Sequence, residues 1–223
     1  MRKGLTELVM IIYKSGSMSG LESDTIGGFN GMIAKQKRED GECLVSVVLF
    51  DDFADVIYDR KDLDKVESMN DSQYVPGGCT ALLDAIGGAI HHIGNVHKYA
   101  RDEDRPEKTL FIITTDGMEN SSRQYSYQKV RHMIERQKET YGWEFLFLGA
   151  NMDAVEVASR FGIDRNRAVT YENDSVGNRV KYEAITDVVT CVRESEEGSV
   201  GMALDECSGL KKVKADYMRR HRK

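Results

Sequence analysis

The sequence predicts a doubly wound α/β fold, with a mostly parallel sheet between two layers of helices. Short runs that are apolar on both faces, as fully buried strands are, alternate with longer amphipathic stretches. Most of the intervals between these runs are long enough for the helical crossover that parallel strands require. The chain has 223 residues, of which 40% are hydrophobic and 30% are charged. These values are typical of one soluble globular domain with a real core.

The apolar runs predict six strands. Four of them are buried in the sheet and lie at residues 8–13, 44–50, 110–115 and 145–149. A fifth, at 54–59, follows its predecessor after only three residues, so it pairs as an antiparallel hairpin partner and is expected at the sheet edge. A weak last strand is expected at 168–171.

Apolar side chains at helical spacing predict four longer helices, at about residues 21–37, 82–96, 130–137 and 180–192. Asn151 is expected to cap a further helix that ends before Gly162. Two glycine pairs, Gly27-Gly28 and Gly87-Gly88, fall inside predicted helices. Since glycine weakens a helix, we expect these pairs to allow close helix–sheet approach rather than to bind a ligand.

The chain divides by composition into a domain at 1–195 and a polar extension at 196–223. The net charge is −6, yet residues 211–223 contain seven basic residues and one acidic residue. We expect this basic tail to be a solvated helix end or a disordered extension. A single tyrosine, Tyr217, lies among these charges, so any contact with nucleic acid is expected to be weak.

Several classes of protein are not expected from this composition. The longest aliphatic stretches have five or six residues, which is too short for a membrane span, and the N-terminus lacks the apolar core of a signal peptide. The four cysteines lie far apart with no CxxC pair, which argues against a disulfide scaffold and a zinc ribbon. We therefore expect a reduced, cytoplasmic protein.

Three loops with unusual chemistry are predicted at the carboxyl ends of strands, where doubly wound sheets bind ligands. Their sequences are YKSGSMSG at 13–20, PGGCTALLD at 76–84 and DGMEN at 116–120. Together they bring small hydroxyl groups and a carboxylate from separate loops. Such oxygen ligands suit Mg²⁺ or Mn²⁺, which keep several waters and need few protein ligands.

The chain resembles a von Willebrand factor type A (vWA) domain from about Thr6 to about Val192. The resemblance rests on three sequence segments taken together, KSGSMSG, GGCTALLDAI and ITTDGMEN. As a whole, the sequence resembles the small stand-alone bacterial or phage members of this family, some of which resemble tellurite-resistance and stress-response proteins. The family's metal-ion-dependent adhesion site (MIDAS) uses Asp-x-Ser-x-Ser after the first strand, a later threonine, and an aspartate after the central strand. The resemblance assigns these metal-ligand positions to Ser15, Ser17, Thr80 and Asp116.

One position departs from this pattern, because Tyr13 stands where the first aspartate is expected. A phenol is neutral at pH 7, so Asp116 is the single matched carboxylate, and we expect a weakened or empty site. Glu119 and Asp84 are nearby candidates for the missing charge, although a carboxylate in a first helical turn usually serves the helix dipole. Lys14 is expected to be exposed.

The resemblance implies a non-enzymatic module that binds a protein partner, whose carboxylate takes the open coordination position of the ion. With Tyr13, a metal-independent interaction or an inactive form is expected. The alternative is a metal-assisted phosphoester or ester hydrolase at the same strand ends. Such an enzyme needs two or more carboxylates, or a histidine, at the ion. Here only Asp116 is assured and none of the three loops contains a histidine, so no enzymatic activity is expected.

Overall fold

The computed structural model describes residues 1–221, which fold into one six-stranded sheet flanked by helices. The strands are β1 (Arg2–Tyr13), β2 (Cys43–Phe50), β3 (Ala54–Asp62), β4 (Pro106–Thr115), β5 (Glu144–Ala150) and β6 (Ala168–Tyr171). The α-helices are α1 (Glu22–Gln36), α2 (Leu82–Tyr99), α3 (Tyr127–Tyr141), α4 (Ala154–Arg160), α5 (Ser175–Glu194), α6 (Val200–Glu206) and α7 (Gly209–Arg220). None of the helices in this described part combines the length and apolar character needed to cross a bilayer.

The sheet confirms the predicted doubly wound topology. The strand order is β3-β2-β1-β4-β5-β6, and every neighbouring pair is parallel except β2 and β3. The chain moves outward from β1 to β3 and then returns to place β4 on the other side of β1. The strand order therefore reverses between β1 and β4, and the loops that follow these two strands flank the switch point, where ligands bind in such sheets.

The central strands form the core because helices cover the sheet. Residues 8–12 of β1 and 110–113 of β4 are at most 1% exposed, on both faces of the pleat. The expectation that these runs are buried on both faces is confirmed. Register also aligns the strand ends, since Tyr13 pairs with Phe50 and Ile12 pairs with Thr114.

The glycine pairs allow close packing, but against tyrosine rings rather than the sheet. A Cβ built on Gly28 of α1 lies 2.2 Å from the Tyr182 ring of α5, and one built on Gly87 lies 2.3 Å from the Tyr125 ring. The other glycine of each pair faces open space. The expected contact with strands is thus corrected to a contact between neighbouring helices and loops.

The expected cap of α4 is wrong by two residues. Asp153, not Asn151, accepts the amide hydrogens of Val155 and Glu156 at 3.1 and 3.0 Å. Asn151 instead has a left-handed backbone with φ of 53°, which directs its side chain elsewhere. The end of the helix is as predicted, because α4 stops before Gly162, whose φ is 76°.

The C-terminal segment is folded onto the domain. Helices α6 and α7 contact α5, and α7 also covers the edge strand β6. Val213 is 1% exposed, and Arg220 Nη1 lies 2.8 Å from a carboxylate oxygen of Asp174. The disordered alternative is therefore wrong for residues 211–221, which form a helix end whose apolar stripe of Leu210, Val213 and Tyr217 packs on the domain while most of its basic side chains stay exposed. Residues 222 and 223 of that tail lie outside the described residues.

Candidate functional site

The first loop of the site follows β1 and makes a single 3-10 turn at Gly16–Met18. The amide of Met18 donates to the carbonyl of Ser15 at 2.9 Å, and the Met18 side chain is buried. This anchor holds Ser15 in the interior, where it is 4% exposed, and leaves Ser17 at the surface.

The second loop presents Thr80 just before α2. Asn120, in the loop after β4, accepts the Thr80 amide hydrogen at 2.9 Å and donates its own amide hydrogen to the Thr80 carbonyl at 3.1 Å. The next amide, of Ala81, donates to the carbonyl of Asp51 at 2.7 Å. Thr80 is therefore fixed and only 2% exposed between two neighbouring loops.

Tyr13 brings its phenol oxygen into the centre of these loops. Ser15 Oγ donates a short hydrogen bond to this oxygen, Ser17 Oγ donates at 3.3 Å, and Thr80 Oγ1 lies 3.2 Å away. The ring is 4% exposed and packs edge-on against Phe50. The phenol oxygen thus occupies the position on which the three hydroxyl groups converge.

Asp116 lies after β4, and both of its carboxylate oxygens accept from amide side chains. Asn151 Nδ2 makes a short hydrogen bond to one oxygen, and Asn173 Nδ2 donates to the other at 2.8 Å. The carboxyl is 7% exposed. Burial raises the pKa of Asp116, although hydrogen bonds from Ser17 and Asn151 oppose the shift. The carboxylate is held by neutral donors from three loops.

A buried lysine lies behind this carboxylate. Lys181 of α5 is 1% exposed, donates from Nζ to Asn178 Oδ1 at 2.5 Å, and lies 4.7 and 4.8 Å from the ring centres of Tyr171 and Tyr182. Burial lowers the pKa of Lys181 to about 7, while the charge of Asp116 acts in the opposite direction. The site therefore has a buried amine whose charged form carries a cost of desolvation.

These residues do not fit a divalent ion. A hard cation needs several oxygen ligands around a free position, but the Tyr13 phenol fills the centre and Asp116 is saturated by two amide donors. The packing is tight, since a Cβ built on Gly117 lies 2.3 Å from the phenol oxygen. Nowhere in residues 1–221 do three or more His, Cys, Asp or Glu side chains form a group able to hold a metal.

Neither candidate for the missing charge supplies it. Glu119 accepts the amide hydrogens of Leu83, Ser121 and Ser122 at 2.8–3.0 Å. Asp84 accepts three consecutive amide hydrogens, of residues 123–125, at 2.8–2.9 Å. Both carboxylates therefore hold the loop between β4 and α3 against the start of α2.

Lys14 is buried, contrary to the expectation of an exposed side chain. It is 8% exposed and forms an ion pair with Asp51 and another with Asp55, the second at 3.3 Å. Burial opposes the charge, but the hydrogen bonds and charges of the two aspartates prevail, so the pKa of Lys14 is raised. The side chain joins the loop after β1 to the β2–β3 hairpin.

Sequence reasoning missed the residues that hold Asp116, namely Asn151 and Asn173. The signal was present, because Asn151 directly follows β5 and Asn173 comes two residues after β6. Both thus fall at the same edge of the sheet as Asp116. The rule that identified Asp116 at a strand end also applies to these positions.

The known proteins that this chain resembles were identified by similarity of structure and not of sequence. No known family matches the sequence, and neither does any curated protein. Proximal thread matrix protein 1 of the mussel byssus is similar, with 17% identity and a TM-score of 0.55 over 84% of this chain and 46% of that one. A von Willebrand factor type A protein from Catenulispora acidiphila is similar as well, with 15% identity and a TM-score of 0.52 over 81% of this chain and 42% of that one.

The chain has the von Willebrand factor type A fold. This agrees with the expected resemblance, and the shared feature is the sheet with its flanking helices. The chain spans less than half the length of either similar protein. Another structure of the mussel protein, with 16% identity and a TM-score of 0.54 over 84% of this chain and 46% of that one, has a zinc-occupied MIDAS motif. The zinc belongs to that protein; in the present chain the Tyr13 phenol oxygen lies among the three hydroxyl groups.

Proposed function

We propose that this chain is a non-enzymatic protein-interaction module of the vWA type that binds its partner without a divalent ion. The partner surface is the carboxyl edge of the sheet, around Ser15, Ser17, Thr80 and Asp116. The observation that carries the proposal is the position of the Tyr13 phenol oxygen among the three hydroxyl groups. Because a phenol satisfies these groups, the loops keep their arrangement with no metal bound.

Exposed apolar side chains surround this edge. Phe53, Val75 and Met118 are 75%, 59% and 51% exposed and belong to the loops that follow β2, precede α2 and follow β4. Hydrogen bonds between these loops hold them together, for example from the Cys79 amide to Asp52 Oδ1 at 3.0 Å. Exposed apolar side chains on fixed loops favour a protein contact.

The chemistry of the partner follows from the same geometry. A partner carboxylate needs an ion at the site, and without one it meets the negative charge of Asp116. We therefore assign affinity mainly to apolar contact with Phe53, Val75 and Met118. Binding through a carboxylate, with Mg²⁺ or Mn²⁺, belongs to a form of the site that has an aspartate in place of Tyr13.

The hydrolase alternative gains no support from the site. Asp116 is the one carboxylate beside the three hydroxyl groups, and its oxygens already accept from Asn151 and Asn173. No turnover of phosphoesters is expected with Mg²⁺ or Mn²⁺. Turnover that is abolished by Asp116→Ala would overturn the non-enzymatic assignment.

Nucleic-acid binding through the basic tail is not part of the proposal. Lys212 pairs with Asp187, and Arg219 pairs with Asp216. Arg220 pairs with both Asp216 and Asp174. Acidic groups of the protein thus pair with three of the five lysines and arginines that the structure describes in this tail, which weakens its attraction for a phosphate backbone.

Calorimetric titration of Mg²⁺ and Mn²⁺ tests the role of Tyr13. Tyr13→Asp removes the ring and adds a second carboxylate, so we expect it to bind at least about 100-fold more tightly than the wild type. Tyr13→Phe is the matched control, because it removes the hydroxyl group but keeps the ring in place. It should bind no better than the wild type.

Two results would contradict the proposal. Equal binding by the wild-type chain would mean that the phenol leaves the site for the ion, and the interaction would then depend on metal. Failure of Tyr13→Asp to bind would mean that these loops are scaffold and not a modified adhesion site.

Affinity capture tests the interaction itself. The wild-type chain should retain the same cellular protein in EDTA and in Mg²⁺, and Phe53→Ala with Met118→Ala should lose it. Tyr99→Ala with Met202→Ala is the matched control, since these side chains are 78% and 68% exposed outside the site loops. Capture that requires Mg²⁺, or that is equally sensitive to both pairs, would reject this surface.

A further inference from the structure

Two of the four cysteines meet in the folded chain although they are distant in sequence. Cys191 lies in the last turns of α5, and Cys207 directly follows α6. Their sulfur atoms are 2.8 Å apart, and both residues are free thiols. A disulfide has an S–S distance of about 2.05 Å, so bond formation requires a movement of less than about 1 Å.

We propose that Cys191 and Cys207 form a disulfide under oxidising conditions, which locks α6 and the start of α7 onto α5. The bridge is reversible, and the reduced chain keeps the same fold because the two thiols are already packed together. This inference is independent of the adhesion-like loops at the other site.

Packing around the pair keeps the two sulfur atoms in place. A Cβ built on Gly209 lies 2.6 Å from the Ala184 carbonyl, so the start of α7 approaches α5 as closely as a glycine permits. Lys212 Nζ lies 2.6 Å from a carboxylate oxygen of Asp187, one helical turn before Cys191. The geometry is thus set by contacts on both sides of the pair, and the thiols are held near each other at high effective concentration.

The two thiols differ in solvent exposure, and this difference indicates which of them reacts first with an oxidant. Cys191 is partly exposed and Cys207 is 7% exposed. With oxidised glutathione as oxidant, the Cys191 thiolate attacks one sulfur of the glutathione disulfide and releases glutathione. Cys207 then displaces the second glutathione from Cys191. Two S–H bonds are lost, one protein S–S bond forms, and one glutathione disulfide is reduced to two thiols.

The pair should react slowly and in a pH-dependent way. Burial raises the pKa of the Cys191 thiol, and the neighbouring Cys207 acts in the same direction. Since the thiolate is the attacking species, we expect the rate of bridge formation to rise about tenfold per pH unit while the thiol is still mostly protonated. An exposed thiol such as Cys79 should react with glutathione faster.

The bridge should stabilise the C-terminal helices. It closes a loop over residues 192–206 and so reduces the entropy of the unfolded chain. For a loop of this length in a protein of this size, we expect the melting temperature to rise by about 5–10 °C on oxidation.

The test is oxidation of the intact chain with oxidised glutathione at alkaline pH, followed by peptide mapping. We expect a peptide pair linked through Cys191 and Cys207 and, in a Cys79→Ser chain, a mass lower by two hydrogen atoms. Addition of dithiothreitol should restore the mass and the melting temperature. The mapping uses the native pair itself, so it does not depend on a variant that folds.

Matched variants separate this bridge from other thiol reactions. Cys191→Ser should abolish both the linked peptide and the rise in melting temperature, whereas Cys79→Ser should change neither. Four free thiols after oxidation, a bridge that includes Cys79 or Cys43, or a linked peptide with an unchanged melting temperature would each overturn the proposal.

Discussion

At Tyr13 the side chain differs in charge, in volume and in its hydroxyl group from the aspartate that the sequence resemblance implies. A shorter aspartate side chain would not extend into the space between the three hydroxyl groups. The phenol instead extends into that space, and its oxygen takes part in hydrogen bonds with Ser15, Ser17 and Thr80. A tyrosine at this position therefore carries no charge that would favour a metal, and its hydrogen bonds stabilise the loops without one.

Lys181 is a lysine whose side chain is buried rather than exposed to solvent. Its pKa of about 7 in the folded chain lies below the ordinary value near 10.4. Between these values the unfolded chain binds a proton that the folded chain does not, so the free energy of unfolding rises with pH across this window. Conversely, this gain in the free energy of unfolding is lost as the pH falls from 10 to 7.

We expect Lys181→Met to remove this pH dependence. Urea denaturation at pH 7, 8, 9 and 10 should show a wild-type increase in unfolding free energy of a few kcal/mol relative to the variant. Lys214→Met is the control, because Lys214 is exposed on α7. A Lys181→Met chain with the same slope as the wild type would show that Lys181 remains charged in the fold.

At the scale of elements, helix α1 shows how neighbouring glycines can have opposite roles. Gly28 faces the Tyr182 ring of α5, which occupies the space of a Cβ, whereas Gly27 faces solvent with nothing within 4 Å. Both have ordinary helical backbones, so the difference lies in the packing and not in the conformation.

We therefore expect opposite effects from the same substitution. Gly28→Ala should lower the free energy of unfolding by roughly 1–3 kcal/mol, because the Tyr182 ring must move. Gly27→Ala should raise it by about 0.5–1 kcal/mol through the better helix propensity of alanine. Urea denaturation of both variants measures this, and equal effects would contradict the packing of α1 on α5.

At the scale of the whole molecule, the C-terminal helices belong to the same packed unit as the sheet. Helix α7 covers β6, and its end is tied to the site loops, since Arg220 pairs with Asp174 and His221 Nε2 lies 3.4 Å from Glu172. Asn173, which holds Asp116, lies between these two acidic residues. The segment predicted as an extension thus supports a loop of the candidate site.

Substitutions on the buried and exposed faces of α7 test whether this helix unfolds together with the sheet. Val213→Ala should lower the free energy of unfolding of the whole chain by roughly 1–3 kcal/mol, in one transition. Met218→Ala, on the exposed face, should change it by less than about 0.5 kcal/mol. If circular dichroism and chemical denaturation show no loss for Val213→Ala, the helix is not part of the cooperative core.

The predictable part of the fold came from strong local patterns. Runs such as 8–13 and 110–115 are apolar on both faces, and their length favours a buried parallel strand over a helix. The cap of α4 was harder to predict, because Asn151 and Asp153 are both good capping residues. In the structure Asn151 has a left-handed backbone and donates its side-chain amide to Asp116, and Asp153 caps the helix instead.

The site was predictable as a set of positions but not as a set of contacts. Loops after β1 and β4 had to meet, since the strand order reverses between these strands. The direction of the Tyr13 ring, the burial of Lys14 and the use of Glu119 for backbone amides depend on atoms from distant segments. No local pattern encodes them.

By itself the sequence determined the order of the six strands and of helices α1 to α5 along the chain, the antiparallel hairpin and the carboxyl edge that carries the candidate site, because periodicity and loop length are local properties. Only the tertiary structure placed the Tyr13 phenol at the centre of the hydroxyl groups, brought Cys191 to Cys207 and folded α7 onto β6. These features arise from side chains that are far apart in the sequence and pack together. Their contacts depend on the relative position of whole elements, which is set only when the core forms.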